Sequence, residues 1–438
     1  MRTQIWAAAL AVAAAVGGEE ERTVNVYRNP ILPIEAGGGA DPAALRVGDE
    51  FFFYSTNPGN RVFRSRDLVR WEKGPQVMPD EFRGLWAPEV YHHPEDGRYY
   101  LYYTMRYKIG VAVSDRPDGM FEDLGYLVVD AIDAHPFRDD DGRLYLYFTH
   151  TPKFEMYCVP MKSPAQTGGP VVRCFEISQD WERHSFPINE GPWMLKRDGI
   201  YYLLYSGSDG QSIHYAVGYA TAPTPIGPFV KHDRNPIFQN LPAVNGPGHG
   251  SVIADRSGRL WHLYHQKTGV EKGWRRDICL DPLEFDESGA LSGTPTRGTE
   301  QPAPDFDPGR VWIPEIRPRG AVFEGRVEVR IACETPGAEI RYTLDGREPD
   351  AASPLYEAPL EVVETCTVRA RAFKAGLAPS GAARQKFTRA AGTLALNPAP
   401  NAEPGNPPLL VFPEPVKDWK PRADAWKAAR QGGADSPR

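Results

Sequence analysis

A glycine followed by a strongly aromatic run recurs five times: "GDEFFFYST" at Gly48, "GRYYLYYT" at Gly97, "GRLYLYFTH" at Gly142, "GIYYLLYSG" at Gly199 and "GRLWHLYHQ" at Gly258. The steps between these glycines are 49, 45, 57 and 59 residues. Each step has room for a four-stranded antiparallel sheet with its turns. Aromatic runs without polar alternation predict strands buried on both faces. The segments that follow, such as "RVFRSRDLVRWEK" and "GVAVSDRPDGMFE", are weaker and predict outer strands ending in an edge hairpin whose aromatic packs back on the sheet. Five such sheets set radially form a five-bladed β-propeller, in which only short edges remain. A β-sandwich is the competing all-β reading, and the near-regular steps favour the propeller.

Composition agrees with strands and turns: 43 Pro, 42 Gly, 10 Trp, 20 Tyr and 19 Phe in 438 residues. The 50 Lys and Arg against 57 Asp and Glu, with no basic run, exclude nucleic acid or an anionic membrane as the main partner. The N-terminus has basic Arg2, an apolar run from Ile5 to Val16 and small residues at Ala13–Ala15. The run is too short to span a bilayer, so residues 1–18 read as a signal peptide and the chain as secreted. Five cysteines are too few for a disulfide scaffold, although Cys333 and Cys366 have an oxidising compartment in which to pair.

The repeat fades near residue 293. Residues 294–311 read as a Pro/Gly linker and 312–389 as a second all-β unit, with alternation in "RVEVRIAC" and "TVRARAF". The Pro-rich stretch 390–438 reads as a tail without regular structure.

Ionisable residues fall in repeat register ahead of the glycines. Glu190, Asp133 and His249 each lie nine residues before theirs, and Asp41 lies seven before Gly48. Trp86 and Glu89 occupy the comparable region of the second unit. Pro42, Pro88, Pro136 and Pro192 adjoin these positions and stiffen them. In a propeller the first strand of each blade lines the central channel, so these side chains converge at one mouth. Carboxylates crowded and partly desolvated there acquire separated pKa values, as acid/base chemistry requires. By contrast, "DDDG" at Asp139–Gly142 and "PEDG" at Pro94–Gly97 read as ordinary hairpin turns.

The motifs "ADP" at Ala40–Pro42, "WAPEV" at Trp86–Val90, "IDAHPFRDDDGRLYLYF" at Ile132–Phe148, "NEGPWMLKRDGIYYLLYS" at Asn189–Ser206, "GPGHGSVIADRSGRLWHLYH" at Gly246–His265 and "RRDICLDPLEFDESG" at Arg275–Gly289 resemble glycoside hydrolase family 43. That resemblance spans residues 24–293 and implies an inverting glycosidase acting on α-L-arabinofuranosyl or β-D-xylosyl linkages. It implies Asp41 as general base, Glu190 as general acid, and Asp133 as the residue that orients the acid and tunes its pKa. Arg276 and His249 match substrate-binding positions; His249 in some members helps hold a cation, so a structural calcium at the channel centre is implied although no cofactor is required. Trp86 and Phe137 are candidate platforms for the sugar. Ala134 stands where many members have Pro, which leaves the backbone of Asp133 open. The second unit resembles the fibronectin-like module at the C-termini of chitobiase-type enzymes and reads as a small β-sandwich.

The expected partner is therefore an oligo- or polysaccharide, bound by a monomer with no membrane span. The other readings are a non-catalytic carbohydrate-binding propeller, a galactan-active or retaining fructan-type hydrolase, and a glycoside phosphorylase. A phosphorylase needs basic residues for phosphate, and only Arg275 and Arg276 stand out. The stretch Phe154–Pro170 is long enough to form a loop closing one end of the channel.

Overall fold

The computed structural model describes residues 25–390 and 411–417. The segment read as a signal peptide lies outside the described residues. Five antiparallel sheets follow one another along the chain. Blade 1 runs Ala40–Val47, Glu50–Thr56, Arg61–Ser65 and Glu72–Gln76. Blade 2 starts with Trp86–His92 and Tyr99–Met105, blade 3 with Ala131–Arg138 and Leu144–His150, blade 4 with Asn189–Arg197 and Ile200–Gly207, and blade 5 with Asn245–Ala254 and Leu260–Lys267. The first strands touch in a ring, each packing on the next and that of blade 5 on that of blade 1. This is the expected five-bladed β-propeller.

Side-chain alternation within the aromatic strands explains why they carry no polar face. Phe51 and Phe53 point to blade 5, whereas Phe52 and Tyr54 point to blade 2. The other blades divide their strands in the same way, producing five buried clusters, one at each interface between neighbours. Each fully buried aromatic contributes about 1.5–3 kcal/mol. The edge hairpins behave as predicted: Trp71 packs edge-on against Phe53 at 4.6 Å, and Phe121 against Tyr54 at 6.4 Å.

Several boundaries differ from the sequence reading. Phe154–Pro170 is no closing loop; Glu155–Ser163 is the third strand of blade 3 and Gln166–Thr167 pairs back on it. Its apolar residues Met156, Cys158 and Val159 are buried between blades, a demand that a strand meets and an exposed loop does not. The linker contains Glu300–Pro302, which pairs with Val26–Arg28 and ties the two ends of the propeller together. Within the tail, Val411–Val416 adds a fifth strand to the outer edge of blade 2, with Phe412 buried. All five cysteines are free thiols, including Cys333 and Cys366.

The second unit is a small β-sandwich. Glu315–Arg317, Val327–Ala332 and Leu360–Val362 face Ala321–Phe323, Ala382–Arg389, Cys366–Phe373 and Glu339–Thr343 across Val329, Val368, Ala370 and Phe387. It docks on the hairpin turns at the end of the propeller opposite the first residues of the inner strands. Asp140, in the turn read as ordinary, accepts hydrogen bonds from Arg317 Nη1 (2.6 Å) and Arg319 Nε (3.0 Å) and pairs with Lys196. Asp198, in the blade 4 turn, accepts from Arg384 Nη1 and from the Lys386 amide, both at 2.6 Å. Trp312 is clasped between the guanidinium groups of Arg46 and Arg256, 3.5 and 4.4 Å from its ring centre.

Candidate active site

One backbone device opens all five inner strands. Asp41, Ala87, Asp133, Gly191 and His249 have positive φ of 55°, 41°, 59°, 59° and 43°. At each of them the register with the second strand slips. Such a bulge turns the strand and re-aims a side chain, here into the channel mouth. Asp133 adopts it with Ala134 behind it just as Asp41 does with Pro42, so the missing proline changes nothing. For a non-glycine residue this conformation costs about 1–3 kcal/mol and persists only where the surroundings impose it.

The imposing groups come from the last residues of the aromatic strands. Thr56 Oγ1 accepts from the Ala87 amide at 2.8 Å, Thr104 Oγ1 from the Asp133 amide at 2.9 Å, and Ser206 Oγ from the His249 amide at 2.8 Å. Thr149 Oγ1 donates to the Asn189 carbonyl at 3.1 Å, and His265 Nδ1 accepts from the Asp41 amide at 3.1 Å. Each blade thus fixes the start of the next. The sequence reading missed this set, although Thr104, Thr149, Ser206 and His265 each stand seven residues after their turn glycine and Thr56 eight after Gly48, which is the signal that finds them.

Asp41, Asp133, Glu190, His249 and Arg276 are brought together at this mouth. Asp41 Oδ2 accepts from Thr56 at 2.6 Å; its Oδ1 lies 3.3 Å from His249 Nδ1 and from His265 Nδ1, and 3.9 Å from Arg276 Nη1. Burial opposes ionisation of Asp41, but His249, His265 and Arg276 outweigh it and hold the carboxyl well below the usual range. Burial also lowers both imidazoles, His265 to about 3, so near neutral pH the standing positive charge beside Asp41 is that of Arg276. Asp133 Oδ2 accepts from the Gly191 amide at 3.2 Å and lies 3.8 Å from His249 Nδ1. Glu190 Oε1 accepts from the Tyr215 hydroxyl at 2.7 Å. Tyr215 stacks on His265 with ring centres 5.6 Å apart, and its ring fits only because Gly248 has no side chain.

Glu190 is pushed up to about 7, first by burial and then by the charge of Asp41, against the opposing Tyr215 bond and Arg276. The sequence reading assigned that charge to Asp133. Instead Asp133 is itself raised well above the carboxylate range, by burial and by repulsion from Glu190 and Asp41. Three carboxyls this close cannot all ionise, and the Arg276 charge favours Asp41.

Trp86 is 39% exposed at the mouth, edge-on to Tyr107 at 5.5 Å, where a platform can receive a sugar. Phe137 cannot act as one: it lies near the far end of its strand, buried against Tyr201 with Arg319 over its ring at 5.3 Å. Its period places it between blades, which its closeness to Asp133 in sequence concealed. Arg276 reaches the mouth from the third strand of blade 5 and donates to the Gly210 carbonyl at 2.9 Å. Arg275 turns away to Glu35, so the basic pair that a phosphate site needs is split. Among the described residues no group of three or more His, Cys, Asp or Glu is arranged to hold a metal ion. The carboxylates nearest His249 are those of Asp41 and Asp133, 3.3 and 3.8 Å from Nδ1, fewer oxygens than the six to eight calcium takes.

A carboxylate held ionised, a second raised to about 7 so that it still carries a proton in much of the population near neutral pH, and a third that fixes the backbone between them suit proton exchange across a glycosidic bond. Residues 27–291 match the family "Glycosyl hydrolases family 43", and residues 318–383 match the chitobiase/beta-hexosaminidase C-terminal domain. The chain is 29% identical over 301 residues to "Beta-D-galactofuranosidase xynD" of Aspergillus niger, covering 60% of this chain and 83% of that protein. It is 27% identical over 273 residues to "Xylosidase/arabinosidase 43B" of Humicola insolens, covering 54% of this chain but only 48% of that protein. A crystal structure of a thermostable family-43 glycoside hydrolase superposes with a TM-score of 0.58 at 32% identity, covering 64% of this chain and 99% of the other. The chain therefore belongs to glycosyl hydrolase family 43 and is an inverting glycoside hydrolase.

Proposed function

We propose that this enzyme is secreted and hydrolyses α-L-arabinofuranosyl or β-D-xylosyl linkages in plant cell-wall polysaccharides or their oligosaccharides. The observation that carries the reading is the convergence of Asp41, Asp133 and Glu190 at one mouth, with Asp41 held ionised and Glu190 raised to about 7. Asp41 takes a proton from a water as that water attacks the anomeric carbon. Glu190 gives its proton to the departing glycosidic oxygen, so the bond breaks with one proton taken and one supplied. Inversion needs a water between base and sugar, and inner strands on different blades leave that space. Tyr215 occupies Oε1 of Glu190, which leaves Oε2 to carry the proton. Asp133 holds the Gly191 amide next to the acid and so acts on its position.

The choice of sugars draws on the Humicola relative, and secretion on the apolar N-terminus. A second reading, release of β-D-galactofuranosyl groups, draws on the Aspergillus relative. Assays of purified protein, in chelator, against aryl arabinofuranoside, xyloside and galactofuranoside separate the two. Asp41→Ala and Glu190→Ala are each expected to lower kcat about 10²–10⁴-fold without unfolding the protein. Wild-type rates in either variant, or a first-formed anomer of retained configuration by NMR, overturn the assignment.

A further inference from the structure

Trp274 presents a large aromatic surface that the mechanism above does not use. It is 63% exposed, yet its loop is rigidly built. Buried Lys267 donates to the Glu271 and Gly273 carbonyls, both at 2.9 Å, and the Gly273 amide donates to the Gln211 carbonyl at 3.2 Å. Lys272 pairs with Asp209 at 3.0 Å. These bonds bolt the loop of blade 5 to the neighbouring loop of blade 4. One face of the indole lies on the Arg276 guanidinium, 4.6 Å from the ring centre. Held this firmly and backed on one side, the indole offers a preformed aromatic face on its open side.

Its place in the site identifies what that face receives. A side chain at Gly210 would stand 2.8 Å from Arg276 Nη2, 3.6 Å from Glu190 Oε1 and 3.7 Å from the Trp274 ring, so guanidinium, acid and indole meet at one point beside the mouth. Trp86 lies on the other flank: the Ala87 amide beside it and Asp41 share the hydroxyl of Thr56. In an inverting site the water sits on the base's side and the leaving group on the acid's side. The C–H face of a sugar carries slight positive charge and suits the negative face of an aromatic ring.

We propose that Trp274 is the platform for the leaving-group sugar, a subsite that favours substrates whose departing group is itself a sugar ring. The inference rests on Glu190 being the acid. It specifies an oligosaccharide, in preference to a glycoside of a small alcohol, as the substrate class.

The test compares two substrates carrying the sugar selected by the aryl-glycoside assays: an oligosaccharide, and the glycosyl azide, whose leaving group has no ring. The readout is the ratio of kcat/KM for oligosaccharide over azide. In Trp274→Ala this ratio falls about tenfold or more, and in Trp274→Phe it falls much less. An unchanged ratio in Trp274→Ala overturns the proposal. Its exposure makes misfolding of this variant a minor concern, and a thermal melt on each protein checks it. Wild-type inactivity on both substrates overturns the glycosidase reading itself, which is a different failure.

Discussion

Glu190 and Asp41 are both buried carboxyls at the same mouth, yet their neighbours drive them in opposite directions. For Glu190 burial and the Asp41 charge win, and its pKa rises to about 7. For Asp41 the cationic and hydrogen-bonding neighbours win. The sign of the pH dependence follows. The acid must hold its proton, so kcat/KM falls as pH rises through about 7. The base must be ionised, so the acid limb lies below the ordinary carboxylate range of about 4. The Tyr215 bond stabilises the ionised form of Glu190. Tyr215→Phe, which keeps the ring stacked on His265, is expected to move the alkaline limb upward by about one unit, read from a pH–rate profile. A limb that stays in place shows that Tyr215 only fills space.

Elements matter here mainly through how they begin. The mouth is built from five bulges, each held by a residue that ends an aromatic strand of the preceding blade. Gly191 shows how tight the arrangement is. Its φ is 59°, and a methyl group there would stand 2.8 Å from the His249 ring. Gly191→Ala is expected to cost about 1–3 kcal/mol in denaturant melts and to lower kcat by displacing His249. Gly269→Ala, at a position with nothing within 4 Å, is the control and should cost nothing measurable. The turn glycines, the aromatic strands and the edge hairpins were all legible in the sequence, because period and turn chemistry are local. The bulge supports were visible there too, as Thr, Thr, Thr, Ser and His seven or eight residues after the turn glycines, but their role needs the contact between successive blades.

At the scale of the whole molecule, the second unit is a fixed base under the propeller. Asp140 is its main anchor, meeting Arg317, Arg319 and Lys196 with a side chain only 7% exposed. Removing this carboxylate takes from Arg319 its ion-pair partner, whereas Lys196 keeps Asp139 and Arg317 keeps Glu315. Asp140→Ala is expected to destabilise the protein by about 3 kcal/mol and to make the segment 294–311 more susceptible to protease, with kinetic constants unchanged. If the melting temperature and cleavage rate both match wild type, the ion cluster is not what holds the unit.

By itself the sequence determined how many blades the chain makes, where each begins, and that Asp41, Asp133 and Glu190 stand near the starts of three inner strands. Spacing and the burial demands of aromatic strands leave few alternatives, and both can be read along one dimension. Only the tertiary structure decided which carboxyl keeps its proton, that Phe137 packs between blades while Trp274 lies on Arg276 beside the mouth, and that an apparently ordinary turn anchors a second unit. Those outcomes depend on distances and burial among residues far apart in the chain. Electrostatic energy in a poorly screened interior is set by such through-space neighbours.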